Sequence, residues 1–360
     1  MKRAAVVVGF LLAACTQSAG PAPTPSAIAR QSPSPSVTAS TPPVVAVSQL
    51  PLTRVDFACR LPVEMTSSDG SIYTGGFITF PAASFTSDPS ASILRQQSGD
   101  YANFGSPTLY GRTGMAYDVA AQRWAPTDPS LMTPDGRFYA YAIGDVVHVV
   151  NVTDGSDRFF SFTVPGVETQ RVTIAGFDST GVYLLAEHPG QYPSGVWVMN
   201  PATGDLRAAA QVSGVLAVHA GYAWVGAVDP RDPSPPRLSS GDLTFDGVAR
   251  VDLATGVKTP WYYRQGEAAS LLGLDAHGRP VVGLATNAQM DFNSVSEIRL
   301  VEQPGDAGQL IFSGGWGLQA PLGDGDRLWF GGGSGIYLYT AQRGLQNVFV
   351  GPAWPVGSCL

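Results

Sequence analysis

The chain alternates short apolar segments with polar turns over most of its length, and no stretch repeats apolar residues at helical spacing. Several segments, such as residues 182–186 and 328–330, are apolar at successive positions, which predicts strands that are buried on both faces. Short strands between turns predict an all-β fold. The pattern argues against coiled coils, transmembrane bundles and long amphipathic helices.

Two kinds of turn alternate along the chain. The first is a tight polar turn that leads into an apolar strand, with the sequence MTPDGRFYAY at 132–141 and weaker copies at 68–70, 179–181, 219–221, 276–278 and 324–326. The second follows an apolar strand that ends in Asp or Asn, with the sequence VDLATG at 251–256 and relatives at 117–122, 150–155, 199–204, 300–305 and 339–344. Each series has six members, which predicts six units of four strands. We name these strands a to d, so that the first turn joins a to b and the second joins c to d.

The TPDGR turn at 133–137 resembles the S-P-D-G-R turn of TolB-like, WD40-like propeller repeats. At the level of architecture the resemblance covers residues 52–360. It implies a six-bladed β-propeller, with a seven-bladed ring as the alternative. Two β-sandwich domains are the rival interpretation, but the repeats continue without a linker-like break after residue 50.

The N-terminus has the features of an export signal. Lys2 and Arg3 precede an apolar run, residues 4–12, that is too short to span a bilayer. The sequence LAAC at 12–15 resembles the bacterial lipobox, which implies cleavage before Cys15 and diacylation of its sulfur. We therefore expect a signal peptide at 1–14 and a protein that is lipid-anchored to the bacterial cell membrane on its extracytoplasmic side.

Residues 15–50 are expected to be a disordered, lipidated tether, because Ser, Thr, Ala and Pro dominate them and Arg30 is their only charged residue. The propeller domain is then predicted at 51–360. All 28 acidic residues and 18 of the 21 basic ones lie beyond position 50, which gives that part a net charge of −10. A nucleic-acid partner is therefore not expected.

The chain has three cysteines, and lipidation of Cys15 would leave Cys59 and Cys359. An even remainder in an oxidising compartment predicts a disulfide, with two free thiols as the alternative. The turn series begins with strand a and ends with strand d. We therefore expect the ring to close without a shared strand, and the disulfide to act as a covalent clasp.

Long connections are predicted between strands b and c, at 81–113, 187–193, 229–246 and 287–293. Such connections are usually binding loops or disordered insertions, and their aromatic residues favour binding. The candidate binding residues are Tyr101, Phe104, Tyr110, His188, Tyr192, Asp229, Asp232, Asp291 and Phe292. The expected partner is an envelope protein or a glycan.

The sequence provides little evidence for catalysis. None of the four histidines forms a close metal-binding pair, and no Gly-x-Ser-x-Gly nucleophile elbow occurs. No cofactor is expected, and loop acids leave calcium as an alternative. His148 is predicted to be a satisfied core or blade-interface residue. We favour a non-catalytic binding or scaffold module, and the alternative is a carbohydrate-active hydrolase or lyase that uses two loop carboxylates.

Overall fold

The computed structural model describes residues 45–66, 73–91, 115–143, 145–163, 171–187, 194–228, 245–286, 297–315 and 318–360. Its strands are β1 (Val45–Ala46), β2 (Cys59–Thr66), β3 (Tyr73–Phe80), β4 (Ser84–Ser87), β5 (Ala116–Asp118), β6 (Arg123–Ala125), β7 (Phe138–Ile143), β8 (Val146–Asn151), β9 (Asp157–Ser161), β10 (Arg171–Asp178), β11 (Gly181–Glu187), β12 (Ser194–Met199), β13 (Leu206–Ser213), β14 (Val215–His219), β15 (Tyr222–Ala227), β16 (Gly247–Asp252), β17 (Lys258–Tyr263), β18 (Glu267–Leu274), β19 (Pro280–Thr286), β20 (Glu297–Leu300), β21 (Gln309–Gly315), β22 (Gln319–Asp324), β23 (Arg327–Gly332), β24 (Gly335–Thr340), β25 (Gly344–Val350) and β26 (Ala353–Pro355). Two short 3-10 helices cover Val47–Gln49 and Pro129–Leu131.

The strands form a ring of antiparallel meanders. Strands β10–β13, β14–β17, β18–β21 and β22–β25 each form a four-stranded unit in chain order. Strands β7–β9 form a similar unit, in which a bridge from Met132 to Tyr139 takes the place of strand a. The first strands of the four-stranded units line one central cavity. This arrangement is a β-propeller, as the sequence predicts.

The burial of strand β11 on both faces explains why its sequence is apolar at successive positions. Val182 and Leu184 pack into the core shared with the preceding unit, whereas Tyr183 and Leu185 pack into the core shared with the following unit. All four side chains are buried. Each contributes about 1.5–3 kcal/mol through burial of apolar surface. The strand therefore holds two neighbouring units together.

The turns between strands c and d explain the repeated Asp or Asn. In three units the side-chain oxygen of this residue accepts a hydrogen bond from a backbone N–H two residues later, and its carbonyl accepts one from a glycine four residues later. These Asx-glycine pairs are Asn151 and Gly155, Asn200 and Gly204, and Asp252 and Gly256. The glycines have positive φ angles of 71°, 77° and 73°, which side chains with a Cβ adopt at a cost.

The closure of the ring differs from the prediction. Strand β26 pairs with β2 in antiparallel register, so the C-terminus supplies strand a of the first unit and β2 is its strand b. A single bridge, Gly332 to Ala353, continues this sheet into β23. The expectation of closure without a shared strand is therefore wrong. The segment at 353–355 is short and carries a proline, so it lacks the apolar pattern that marks the other strands.

Cys59 and Cys359 form the predicted disulfide, with Cα atoms 5.5 Å apart. The disulfide lies where the chain continues the pairing of β26 with β2. Beside it, Arg60 and Leu360 exchange backbone hydrogen bonds of 3.3 and 3.1 Å. It closes a loop of 300 residues. In the chain-entropy model such a cross-link contributes up to about 5–6 kcal/mol. The ring is thus closed both by a shared strand and by a covalent bond.

The first unit also departs from the prediction in its connections. Residues 81–83 form a turn between β3 and β4, so the connection assigned to 81–113 in fact begins after β4. The turn at 117–122 joins β5 to β6, and these form a separate two-stranded sheet. Ala116 and Asp118 of this hairpin line the central cavity. Whether the ring has six or seven blades depends on how the hairpin is counted, and the number stays a prediction.

The described chain begins before the boundary predicted at residue 51. Strand β1 pairs in parallel with β21, and Val47 is buried against the core of the last two units. Leu52 then pairs with Asn347 of β25. Residues 45–52 therefore run along the outer edges of two units.

Candidate functional site

The nine candidate loop residues and Cys15 lie outside the described residues. The strands at the roots of three predicted loops are described, and each loop joins strand b to strand c of its unit. In antiparallel meanders all such connections leave from the same end of the propeller. We call this the long-loop end, and we call the end with the a–b and c–d turns the short-turn end.

Arg264 connects the ends of two long loops. It follows β17, where the chain passes from one unit to the next. Its backbone N–H donates to the carbonyl of Asp246 (3.1 Å), just before β16. Its Nη1 donates to Oε2 of Glu297 (2.6 Å), the first residue of β20. The loops at 229–244 and 287–296 thus return to residues held by the same arginine.

Two further charged residues complete this network. Arg299 donates from Nε to Oε2 of Glu297 (2.8 Å), and its Nη1 donates to the carbonyls of Ala307 and Gly308. Glu267 lies with Oε1 at 3.3 Å from Nε of Arg264. We call Arg264, Glu267, Glu297 and Arg299 the loop-root network. It contains two residues of each charge, so its members largely neutralise one another.

The two carboxyl groups of the network have opposite pKa shifts. Burial would raise the pKa of Glu297, but hydrogen bonds from Arg299 and Arg264 outweigh burial and lower it. Burial raises the pKa of Glu267, and the attraction of Arg264 does not offset it. Oε2 of Glu267 is buried and has no hydrogen-bond partner among the described residues. Glu297 is therefore held ionised, whereas Glu267 protonates more readily than an ordinary glutamate.

Polar side chains at the short-turn end mainly serve the turns. Oδ1 of Asp178 accepts a hydrogen bond from the backbone of Thr180 (2.7 Å), and Oδ2 accepts one from the hydroxyl of Tyr183 (3.1 Å). Asp275 is buried and accepts hydrogen bonds from the backbone and side chain of Arg279. These aspartates stabilise the a–b turns that follow strand a of their units.

His148 lies on the unit formed by β7–β9, away from both ends. Its ring stacks on Tyr141, with centroids 4.5 Å apart, and Nδ1 lies 2.9 Å from Oδ2 of Asp157. Its side chain is 18% exposed. The histidine therefore has a polar and an aromatic partner, as predicted, but it is partly exposed and is not among the buried core residues that the structure describes.

A central cavity of about 610 Å³ lies at the short-turn end. Its walls come from the ends of the first strands of the four-stranded units, together with residues 116–120, 128–130, 132–134 and 356–358. The sequence pattern does not predict this cavity. Each wall segment contributes only a few residues, and only closure of the ring brings the segments together.

The described residues contain no group of three or more His, Cys, Asp or Glu side chains arranged to hold a metal ion. Of the loop acids for which calcium was considered, Asp229, Asp232 and Asp291 lie outside that part of the chain. Asp88 lies within it, and its carboxylate accepts hydrogen bonds from the backbone of Ser90 and from Nε1 of Trp124. Within the described ranges, no helix is long and apolar enough to span a bilayer.

Comparisons with known proteins find similarity in structure only. No family model matches the chain, and no curated protein matches it. A chain from a nidogen–laminin complex is 8% identical, with a TM-score of 0.42, over 84% of this chain and 98% of that one. TolB from Acinetobacter baumannii is 11% identical, with a TM-score of 0.37, over 84% and 68%. A prolyl endopeptidase is 12% identical, with a TM-score of 0.41, over 79% and 46%.

Proposed function

We propose that the protein is a lipid-anchored, extracytoplasmic binding or scaffold module whose long-loop end contacts an envelope protein or a glycan. The observation that carries the proposal is the position of Arg264, which holds the ends of two neighbouring long loops through Asp246 and Glu297. Loops whose ends are held by the same residue lose less conformational entropy on binding a partner than loops with free ends. The predicted contact residues Asp232, Asp291 and Phe292 belong to these two loops.

The asymmetry between the two ends supports the same proposal. The described turns at the short-turn end are brief and use their side-chain oxygens for their own backbone, as Asn200 and Asp252 do. The connections at the opposite end are longer and carry aromatic residues such as Tyr192. Binding residues are found disproportionately on loops held by a rigid scaffold.

A pull-down from native envelopes tests the binding proposal. The bait is the mature chain with Cys15→Ser, which stays soluble without its lipid. We expect Phe292→Ala and Asp232→Asn to reduce capture of a specific partner. Asp326→Asn is the matched control, because Asp326 is fully exposed at the short-turn end. Equal capture by all variants would contradict a role for the long-loop end.

The lipid anchor has its own test. Cys15→Ser in the complete precursor should release the protein from membranes or leave its signal peptide uncleaved. Globomycin should likewise cause the uncleaved precursor to accumulate. Unchanged processing and unchanged membrane retention would refute lipidation at Cys15.

A carbohydrate-active hydrolase or lyase is a second candidate, and one observation favours it. Glu267 and Glu297 contact the same guanidinium, yet their pKa values shift in opposite directions. An acid/base pair needs one protonated and one ionised carboxyl group. Turnover on a polysaccharide panel that is lost in both Glu267→Gln and Glu297→Gln would favour the enzyme. Absence of turnover across the panel would favour the binding module.

A further inference from the structure

The central cavity has the size and the walls of a small-molecule site. Its volume of about 610 Å³ falls within the usual range of roughly 300–1,000 Å³ for ligand pockets. Most of its lining is apolar, with residues such as Phe177, Leu216, Leu272, Leu322 and Val356. Pockets of this kind bind ligands through apolar contact and use a few polar groups for selectivity.

The charged groups that line the cavity are mainly acidic. Among the described residues, Asp118, Asp128, Asp178 and Asp275 line it, no Lys or Arg does, and His219 is the one basic side chain. Arg279 forms an ion pair with Asp275 at 2.6 Å. Within the described part of the chain, the other three aspartates form no ion pair. Carboxylates around a recess with apolar walls concentrate negative potential there, which attracts cations and repels anions.

Backbone donors orient these three carboxylates but do not neutralise them. One oxygen of Asp128 accepts from the backbone N–H and the hydroxyl of Ser130, at 2.9 and 2.7 Å. Asp118 accepts in the same way from the backbone of Ala121, and Asp178 from that of Thr180. Each carboxylate is therefore held in position on the cavity wall by uncharged hydrogen-bond donors.

The positions of the three carboxylates indicate which kind of cation the cavity could bind. They belong to three successive parts of the ring, namely the β5–β6 hairpin, the segment before β7, and β10. They do not form a group that could hold a metal ion. Several amino groups separated by methylene segments would fit this arrangement, because the amines could reach separate carboxylates while the methylenes contact the apolar wall. We propose that the central cavity binds an aliphatic polyamine.

Isothermal titration of the full mature chain with spermidine at low ionic strength tests this site. We expect saturable binding that weakens as salt is added. Asp128→Asn and Asp178→Asn keep the oxygen that the turn needs but remove one charge each. Each should weaken spermidine binding about 5-fold. Asp326→Asn, which removes an exposed charge at the same end but outside the lining, should leave the affinity unchanged.

A second variant separates loss of the site from loss of the fold. Ser130 is an exposed residue of the lining, so Ser130→Lys places an ammonium group at the cavity without disturbing a buried core. This variant should keep its melting temperature and lose spermidine binding. The proposal is overturned if spermidine does not bind saturably, if Ser130→Lys folds and binds like the unmodified protein, or if Asp326→Asn weakens binding as much as the cavity variants. Because the site lies at the short-turn end, its failure leaves the proposed function of the long-loop end untouched.

Discussion

The two ends of the propeller use their polar residues in different ways. At the short-turn end, Asn200 and Asp252 bond to backbone groups within a few residues of themselves. At the long-loop end, Arg264 bonds to Glu297, a residue 33 positions away on the next unit. Local bonds shape single turns, whereas a bond between units connects the residue after β17 with the first residue of β20. The contrast is one of degree, because at the short-turn end Arg123 also donates to the carbonyls of Val152 and Thr153 in the next unit. It supports the proposal that the long-loop end presents the binding loops.

The largest expected effect concerns the covalent closure of the ring. Cys59→Ser should lower the free energy of unfolding by about 2–5 kcal/mol and the melting temperature by several degrees. The variant should still fold, because β26 remains paired with β2. Thermal unfolding followed by circular dichroism measures the effect, and Cys15→Ser is the control that removes a cysteine outside the propeller. Equal melting of all three proteins under oxidising conditions would show that the disulfide does not stabilise the ring.

A smaller effect is expected within a single short turn. Asn200→Ala removes the acceptor for the backbone N–H of Ala202 and should cost about 0.5–1.5 kcal/mol in urea unfolding. Asn200→Asp keeps an acceptor oxygen and should lose much less. Neither variant should change capture of a partner from envelopes. Reduced capture with Asn200→Ala would contradict the assignment of partner binding to the long-loop end alone.

At the long-loop end, Glu297→Gln should reduce stability at pH 7, because the pKa of Glu297 is lowered in the folded protein by Arg299 and Arg264. A lowered pKa means that the stabilisation is present above the unfolded value of about 4.3 and is lost as the pH falls through the folded value. The difference in melting temperature between the variant and the unmodified protein should therefore shrink below about pH 4. A difference independent of pH would show that lost packing, and not charge, causes it.

The smallest effect, of opposite sign, is expected at Glu267. Its raised pKa means that ionisation is less favourable in the folded protein, so its contribution to stability is lost as the pH rises through the folded value. Glu267→Gln should therefore melt at or slightly above the temperature of the unmodified protein at pH 7. The two proteins should converge at pH 4. A clear loss of stability at pH 7 would indicate that the ion pair with Arg264 outweighs burial.

Several features of the fold follow from the sequence because their causes are local. The apolar run in β11 predicts burial on both faces, and the structure confirms it through Tyr183 and Leu184. The turns that start at Asn200 and Asp252 are also predicted, since their hydrogen bonds close within five residues. The disulfide could be predicted because Cys59 and Cys359 are the only cysteines beyond the lipobox.

Only the tertiary structure decides how the ring closes, which bonds join neighbouring units, and which segments form the central cavity. Ala353–Pro355 carries no periodic pattern, and it becomes a strand only because β2 offers it a pairing partner almost 300 residues away. The bonds of Arg264 and the walls of the central cavity likewise join segments that are distant along the chain. Sequence patterns report the burial and turn preferences of neighbouring residues, whereas pairing between distant segments depends on where the closed ring places them.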